Sequence, residues 1–181
     1  MAAITSGELL VKFSVVAAAG NTTAGTAATS LGDQISTTAW TGGSLNDLFD
    51  DVSGAENAAS TVDYRCVFVH NSNAANALEN AVVYMSAETA GGASIAIAVD
   101  NLAASAVGAA TAQAAVIANE TTAPSGVGAF SSPTTLGTGL ALGNIAAGSV
   151  RAVWIRRTAA NTAALSGDGF TLAFSGDTGS L

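Results

Sequence analysis

Large apolar side chains in this sequence fall into short runs separated by Gly, Ala, Ser, Thr and Asn. The clearest runs cover residues 9–16, 64–70, 81–86, 94–99, 150–156 and 170–174. β-Branched or aromatic residues dominate most of them, and turn-forming composition bounds them, which predicts strands. Strict alternation appears at Leu9/Val11/Phe13/Val15, Ile95/Ile97/Val99 and Phe170/Leu172/Phe174. An Ala-rich seventh run, 114–118, carries a weaker strand signal. One helical stretch is expected over 45–52: Ser44 caps it, Asp47 takes the capping-box position, and Gly54 ends it. Leu45, Leu48, Phe49 and Val52 would then share a face.

Such a series predicts an all-β chain: a single β-sandwich, Ig-like or jelly-roll-like, of about six to eight strands and at most one short helix. The domain is expected over 8–178, after a flexible N-terminal segment 1–7. Long loops rich in Gly, Ala and Thr are expected at 17–44, 45–62 and 119–148, and loops of that length are uncommon in a compact domain without a role. The 64–70 run is apolar on both faces, with Tyr64, Cys66 and Phe68 on one and Val67 and Val69 on the other. A two-layer sandwich covers one face of each sheet. The second face must therefore lie under long loops or under another chain.

Composition narrows the classes. The chain has 181 residues, with 49% hydrophobic, but 41 of these are alanine, leaving about a quarter of the chain as core formers. Charged residues are only 10%, and the net charge is −8. Nucleic-acid binding requires a basic surface to displace counterions, so this class is excluded. Cys66 stands alone, which excludes a disulfide framework and fits a reduced, buried thiol. The N-terminus has no basic region before an apolar stretch, so no secretory signal is expected. The weakly polar stretch 93–118 is mostly Ala, Ser, Gly and Thr and gains little in hydrocarbon, so no membrane partner is expected.

Candidate chemistry is sparse. Asp47, Asp50, Asp51 and Glu56 are the densest acidic group, but Leu48, Phe49 and Val52 occupy the positions a calcium loop needs for oxygen ligands. Cys66 and His70 share a strand face with Cα atoms ~13 Å apart at about 3.3 Å per residue, too far for a thiolate–imidazole pair. His70 is expected at the surface, at a strand end. No nucleophile elbow, phosphate loop or dinucleotide fingerprint is present. The reading is of a non-enzyme with no catalytic residue, metal or cofactor. Arg151, Arg156 and Arg157 concentrate three of the five cations in seven residues. On a strand, Arg151 and Arg157 share the face of Val153 and Ile155, while Arg156 joins Val150, Ala152 and Trp154. They either pair within the domain, for instance with Asp63, or dock an acidic partner. Together with Tyr64, Phe68 and Trp40 they are the candidate interface residues. Trp154 is expected in the core; Trp40, in a loop, either pins that loop or stacks on a sugar.

Four stretches carry a family resemblance. They are Ser30-Leu31-Gly32-Asp33-Gln34-Ile35-Ser36, residues 48–56 from Leu48 through Asp50 and Asp51 to Glu56, Asp63-Tyr64-Arg65-Cys66-Val67-Phe68-Val69-His70-Asn71, and residues 147–158, including Trp154 between Arg151 and Arg156. In order and spacing, over roughly 8–178, the chain resembles a family of small tailed-bacteriophage virion structural proteins. The resemblance implies a β-sandwich built into the particle, and it brings no functional site with it. The expected role is a capsid decoration or cement protein that binds and stabilises the assembled head shell. The rival is a tail- or fibre-associated module that binds host surface glycans. The implied partners are the major capsid protein or other virion proteins, and further copies of the chain, with a homotrimer favoured. The implied location is the virion, after synthesis in the host cytoplasm.

Overall fold

A computed structural model describes residues 3–17 and 21–178. It contains ten strands: β1 (Leu9–Val15), β2 (Gly32–Ala39), β3 (Val62–Asn71), β4 (Leu78–Glu88), β5 (Ser94–Val99), β6 (Ser105–Ala106), β7 (Ala114–Val116), β8 (Leu140–Ile145), β9 (Ser149–Thr158) and β10 (Phe170–Thr178). One helix, α1 (Gly54–Ala59), and two 3-10 turns complete it. The strands form two antiparallel sheets. The larger runs β5-β9-β3-β1-β2-β7, with β6 added to β9, and the smaller runs β10-β4-β8. One of the two sheets curls strongly into a half-barrel.

The β3–β9 pair organises the molecule. Its register runs without a bulge from Val62↔Thr158 to Asn71↔Ser149. Because side chains alternate, this pair sends two sets of apolar groups in opposite directions. Val67, Val69, Val153 and Ile155 join Phe13, Ile95 and Ile97 and meet Leu78, Val83 and Met85 of β4 and Leu142 and Ile145 of β8. That is the core between the sheets. Cys66, Phe68, Val150, Ala152 and Trp154 point the other way and form a second core with Ile35, Ala114 and Ile117.

The strap of chain after β5 covers this second core. Its Val107, Val127 and Phe130 pack on the outer cluster. Its backbone is tied down by Tyr64 N donating to Glu120 O at 2.7 Å and by paired bonds between Ile97 and Ser131 at 2.8 and 3.0 Å. The second face of β3 is thus covered from within the chain.

All seven runs read from the sequence are strands, and there are three further strands, two of them inside expected loops. β2 sits within 17–44, β8 within 119–148, and the two-residue β6 follows β5. β2 has little apolar content; its buried Ser14, Gln34 and Ser36 neighbourhood is held by polar bonds such as Ile35 N to Gln113 Oε1 at 3.1 Å. A hydrophobicity pattern cannot register such a strand.

The expected helix over 45–52 is absent; those residues form turns. Asn46 adopts φ 59°, which a right-handed helix excludes. Leu48 is still buried, but Leu45 is 81% exposed. The helix starts where the other was expected to stop. Ser53 Oγ accepts from Glu56 N at 3.3 Å, and Glu56 Oε2 accepts from Ser53 N at 2.7 Å, closing a capping box.

Of the segment 1–7, residues 1 and 2 lie outside the described residues, as do 18–20 of the first expected loop. Ile4 and Glu8 touch the rest of the fold. Ile4 packs on the inter-sheet core, and Glu8 accepts from Asn73 Nδ2 at 2.8 Å while its carbonyl accepts from Ser72 N at 2.8 Å.

Candidate functional site

β9 distributes its arginines over both faces, as alternation requires. Arg157 points toward the inter-sheet side. Its Nε and Nη2 donate to Asp63 Oδ2 at 3.1 and 2.7 Å, and Nη2 also reaches Asp50 Oδ1 at 3.1 Å. Its Nη1 donates to the Asp50 carbonyl. The pairing expected with Asp63 is therefore present, and it extends to the 45–52 turns. Neighbouring Arg65 is ion-paired with Glu120. The guanidinium carbons of Arg157 and Arg65 lie 4.9 and 5.8 Å from the Phe49 ring centre. Two cations and three carboxylates thus fasten the 45–52 turns and the middle of the strap to the central strands.

Arg156 lies on the outer face, 5.3 Å from the centre of Phe130, and Tyr64 meets the same ring edge-on at 5.5 Å. Arg156 and Tyr64 are register partners across β9 and β3, so the strand pair itself builds this cluster. Arg151 is half-buried, and its Nε and Nη1 are shielded without a hydrogen-bond partner. Burial lowers its pKa, while nearby Asp100 acts in the opposite direction. Phe68 is wholly enclosed in the outer core and offers no surface in the folded chain. Trp40, just beyond β2, tilts against Phe170 with ring centres 6.0 Å apart. The structure therefore brings Arg156 and Tyr64 together around Phe130, and Arg157 beside Arg65. Trp40 and Arg151 stand apart from both groups.

Trp154 is in the core, as expected, and its indole reveals a group that sequence reasoning missed. Nε1 donates to Asp100 Oδ2 at 2.9 Å. Ala115 N donates to the same oxygen at 2.8 Å and Leu102 N to Oδ1 at 2.9 Å. This buried carboxylate clamps the start of the strap, β7 and β9 together. Asn71 acts likewise, its Nδ2 donating to the Asn76 and Ile145 carbonyls at 2.8 and 3.0 Å. An Asp closing an apolar run was the only available signal for the first; Asn71 had none.

His70 is not the surface residue that its strand-end position predicts. It is 8% exposed, because β1 and β9 flank it on both sides. Burial, and secondarily Lys12, lowers its pKa. Burial pushes the Cys66 thiol well up; Asp100 adds to this and a hydrogen bond with Ser14 opposes it. A thiol so held is a packing group and a poor nucleophile.

The cations turn inward: Arg65 and Arg157 are buried, and Lys12, Arg151 and Arg156 are half-buried. Asp50, Asp51, Glu88, Asp168 and Asp177 are all exposed. Every fully exposed charged side chain is therefore acidic. Among the described residues no group of three or more His, Cys, Asp or Glu is placed to hold a metal ion. No helix there is long and apolar enough to cross a membrane. Surface hollows lie along 85–94 and where Glu88 and Thr89 meet Phe170.

Compared with known proteins, the chain matches no family model, and no curated protein or solved structure is detectably similar to it.

Proposed function

We propose that this chain is a structural component of a tailed-phage virion, a capsid decoration or cement protein that binds the assembled head shell and stabilises it. We read its two sheets as the layers of a sandwich of the Ig-like or jelly-roll kind. The observation that supports a docking role over a catalytic one is the use of its buried polar groups. Arg157, Arg65, Asp100 and Asn71 each tie a loop to the central strands. The result is a stiff body whose exposed charge is of one sign, suited to seating on a complementary surface. The particle assignment itself comes from the sequence resemblance over 8–178.

The mechanism is mass action. A protein that binds the assembled shell and not its free subunits shifts the equilibrium toward the shell. Several copies acting together, for which a cyclic trimer is the proposed form, multiply a modest single-site affinity. The test adds the purified chain to undecorated heads and measures their rupture temperature. Saturable binding with a raised rupture temperature supports the role; failure to bind overturns it.

A further inference from the structure

The ends of the two sheets are finished differently. The outer side of β5 is occupied by the strap, through Ile97 and Ser131 and through Gly128 N donating to Val99 O at 2.9 Å. β7 is only three residues long. β8 is six, and is interrupted by Gly143 at φ 75°. β10 is nine residues long, and among the described residues no strand or bridge lies on its far side. Natural sheets blunt a long free edge with Lys, Pro or a covering segment. β10 contains neither Lys nor Pro, although its pairing with β4 shifts register between Thr171 and Leu172 and between Ser175 and Asp177, and Ile4 N donates to Thr178 Oγ1 at its end at 3.1 Å.

Charge is confined to the two ends of this edge. At one end stand Asp168, just before the strand, and Glu88, the register partner of Phe170. At the other stand Asp177 and its register partner Glu79. Three of these carboxylates are held by the chain itself: Asp168 Oδ2 accepts from Ala93 N at 2.7 Å, Glu88 Oε1 from Ile95 N at 2.7 Å and Asp177 Oδ2 from Asn80 Nδ2 at 3.2 Å. Between them, residues 171–176 carry no charge.

We propose that the β10 edge is a strand-addition site for an extended segment of another protein, uncharged through its middle and bearing Lys or Arg at both ends. Main-chain hydrogen bonds along the edge would supply the affinity, and the terminal carboxylates would select the partner. At about 3.3 Å per residue the site spans roughly 30 Å. The same charges argue against a second copy of this chain. Antiparallel pairing sets the Asp168 end of one copy against the Asp177 end of the other, and parallel pairing sets each acidic end against itself. Like charges across a strand pair are destabilising. This inference deepens the docking role proposed above and rests on it. The head-binding experiment tests that role, and the titration below tests the edge alone.

The probe is a synthetic peptide of about nine residues, alternating Thr and Val with Lys at both ends, matched to the length of the edge. It is titrated into the whole chain at low salt, with amide hydrogen exchange followed residue by residue. Slowed exchange along β10, with affinity at least about tenfold above that of the same peptide ending in Glu, is the expected result. A Glu79→Lys/Asp177→Lys chain should narrow or invert that preference. The two peptides need no change in the protein, so the test survives if this variant misfolds. Equal affinity for both peptides, protection only elsewhere, or a dimer of the chain protected along β10 would overturn the proposal.

Discussion

Asp63 and Arg157 are removed from water together, with side chains 5% and 8% exposed. Each charge is tolerable because the other is 2.7 Å away. Removing Asp63 leaves the buried Arg157 with only the largely exposed Asp50 as counter-charge, in a medium that solvates it poorly. Asp63→Ala is therefore expected to cost about 3–5 kcal/mol, measured as a lower urea midpoint at unchanged slope. Asp51→Ala, an exposed carboxylate nearby, should stay within about 0.5 kcal/mol. His70 gives a pH signature. Its folded pKa lies below the ordinary value of 6.5, so the unfolded chain binds the proton first. Stability should thus fall as pH drops from about 6.5 through the lowered value, and a His70→Gln chain should show a flatter profile in that window. Equal slopes for the two chains would rule out His70 as the source. Glu8 and Glu56, whose pKa values are lowered by bonds to Thr5 and Ser53, add a loss that begins as pH falls through the ordinary value of 4.5 and is complete once it has passed their lowered values. At this scale the sequence was readable where parity decides: the opposite faces of Arg156 and Arg157 follow from alternation alone. The burial of His70 was not, because that depends on which strands flank its position.

Gly32 shows how one element is held to the next. It opens β2 at φ 97°, and a Cβ there would sit 1.7 Å from the Ala115 carbonyl oxygen. Neither the backbone conformation nor the approach of β7 admits a side chain. Gly32→Ala is expected to cost at least about 2 kcal/mol and to loosen the β2–β7 pairing, seen as faster amide exchange at Ile117 and Gln113, which donate to Leu31 O and Asp33 O. Gly137→Ala, where a Cβ meets nothing within 4 Å, should be near neutral in the same assay. Strands with dense β-branched residues, such as β3 and β9, were legible because their own composition commits them to a pleated, buried surface. β2 and β8 were not: their Ser, Gln, Gly and Asn become strand residues only when a neighbour supplies the ladder. The capping box of Ser53 and Glu56 was written in the sequence as a Ser-x-x-Glu spacing, a stronger signal than the Asp47 box it competed with, since Glu reaches back more easily than Asp.

Across the whole molecule, five inward cations leave the acidic groups outside to repel one another. Salt screens such exposed charges, shortening their reach from about 30 Å at 0.01 M to about 8 Å at 0.15 M. The buried Arg157 and Arg65 pairs are screened far less. The melting temperature should therefore rise over that interval, measured at neutral pH; a fall would mean that surface attraction, not repulsion, dominates. The sequence by itself determined that the chain is β-structured and that its central strand is apolar on both sides, because alternation and side-chain branching are local properties. It also limited the ways of covering the second side to two: loops or another molecule. Only the tertiary structure decided between them, since the strap that covers Phe68 and Trp154 is recruited by contacts far apart in sequence, among them the Asp100–Trp154 bond and the Ile97–Ser131 ladder. The free edge of β10 belongs to that second category: whether a strand is central or peripheral depends on its neighbours, which no run of residues specifies alone.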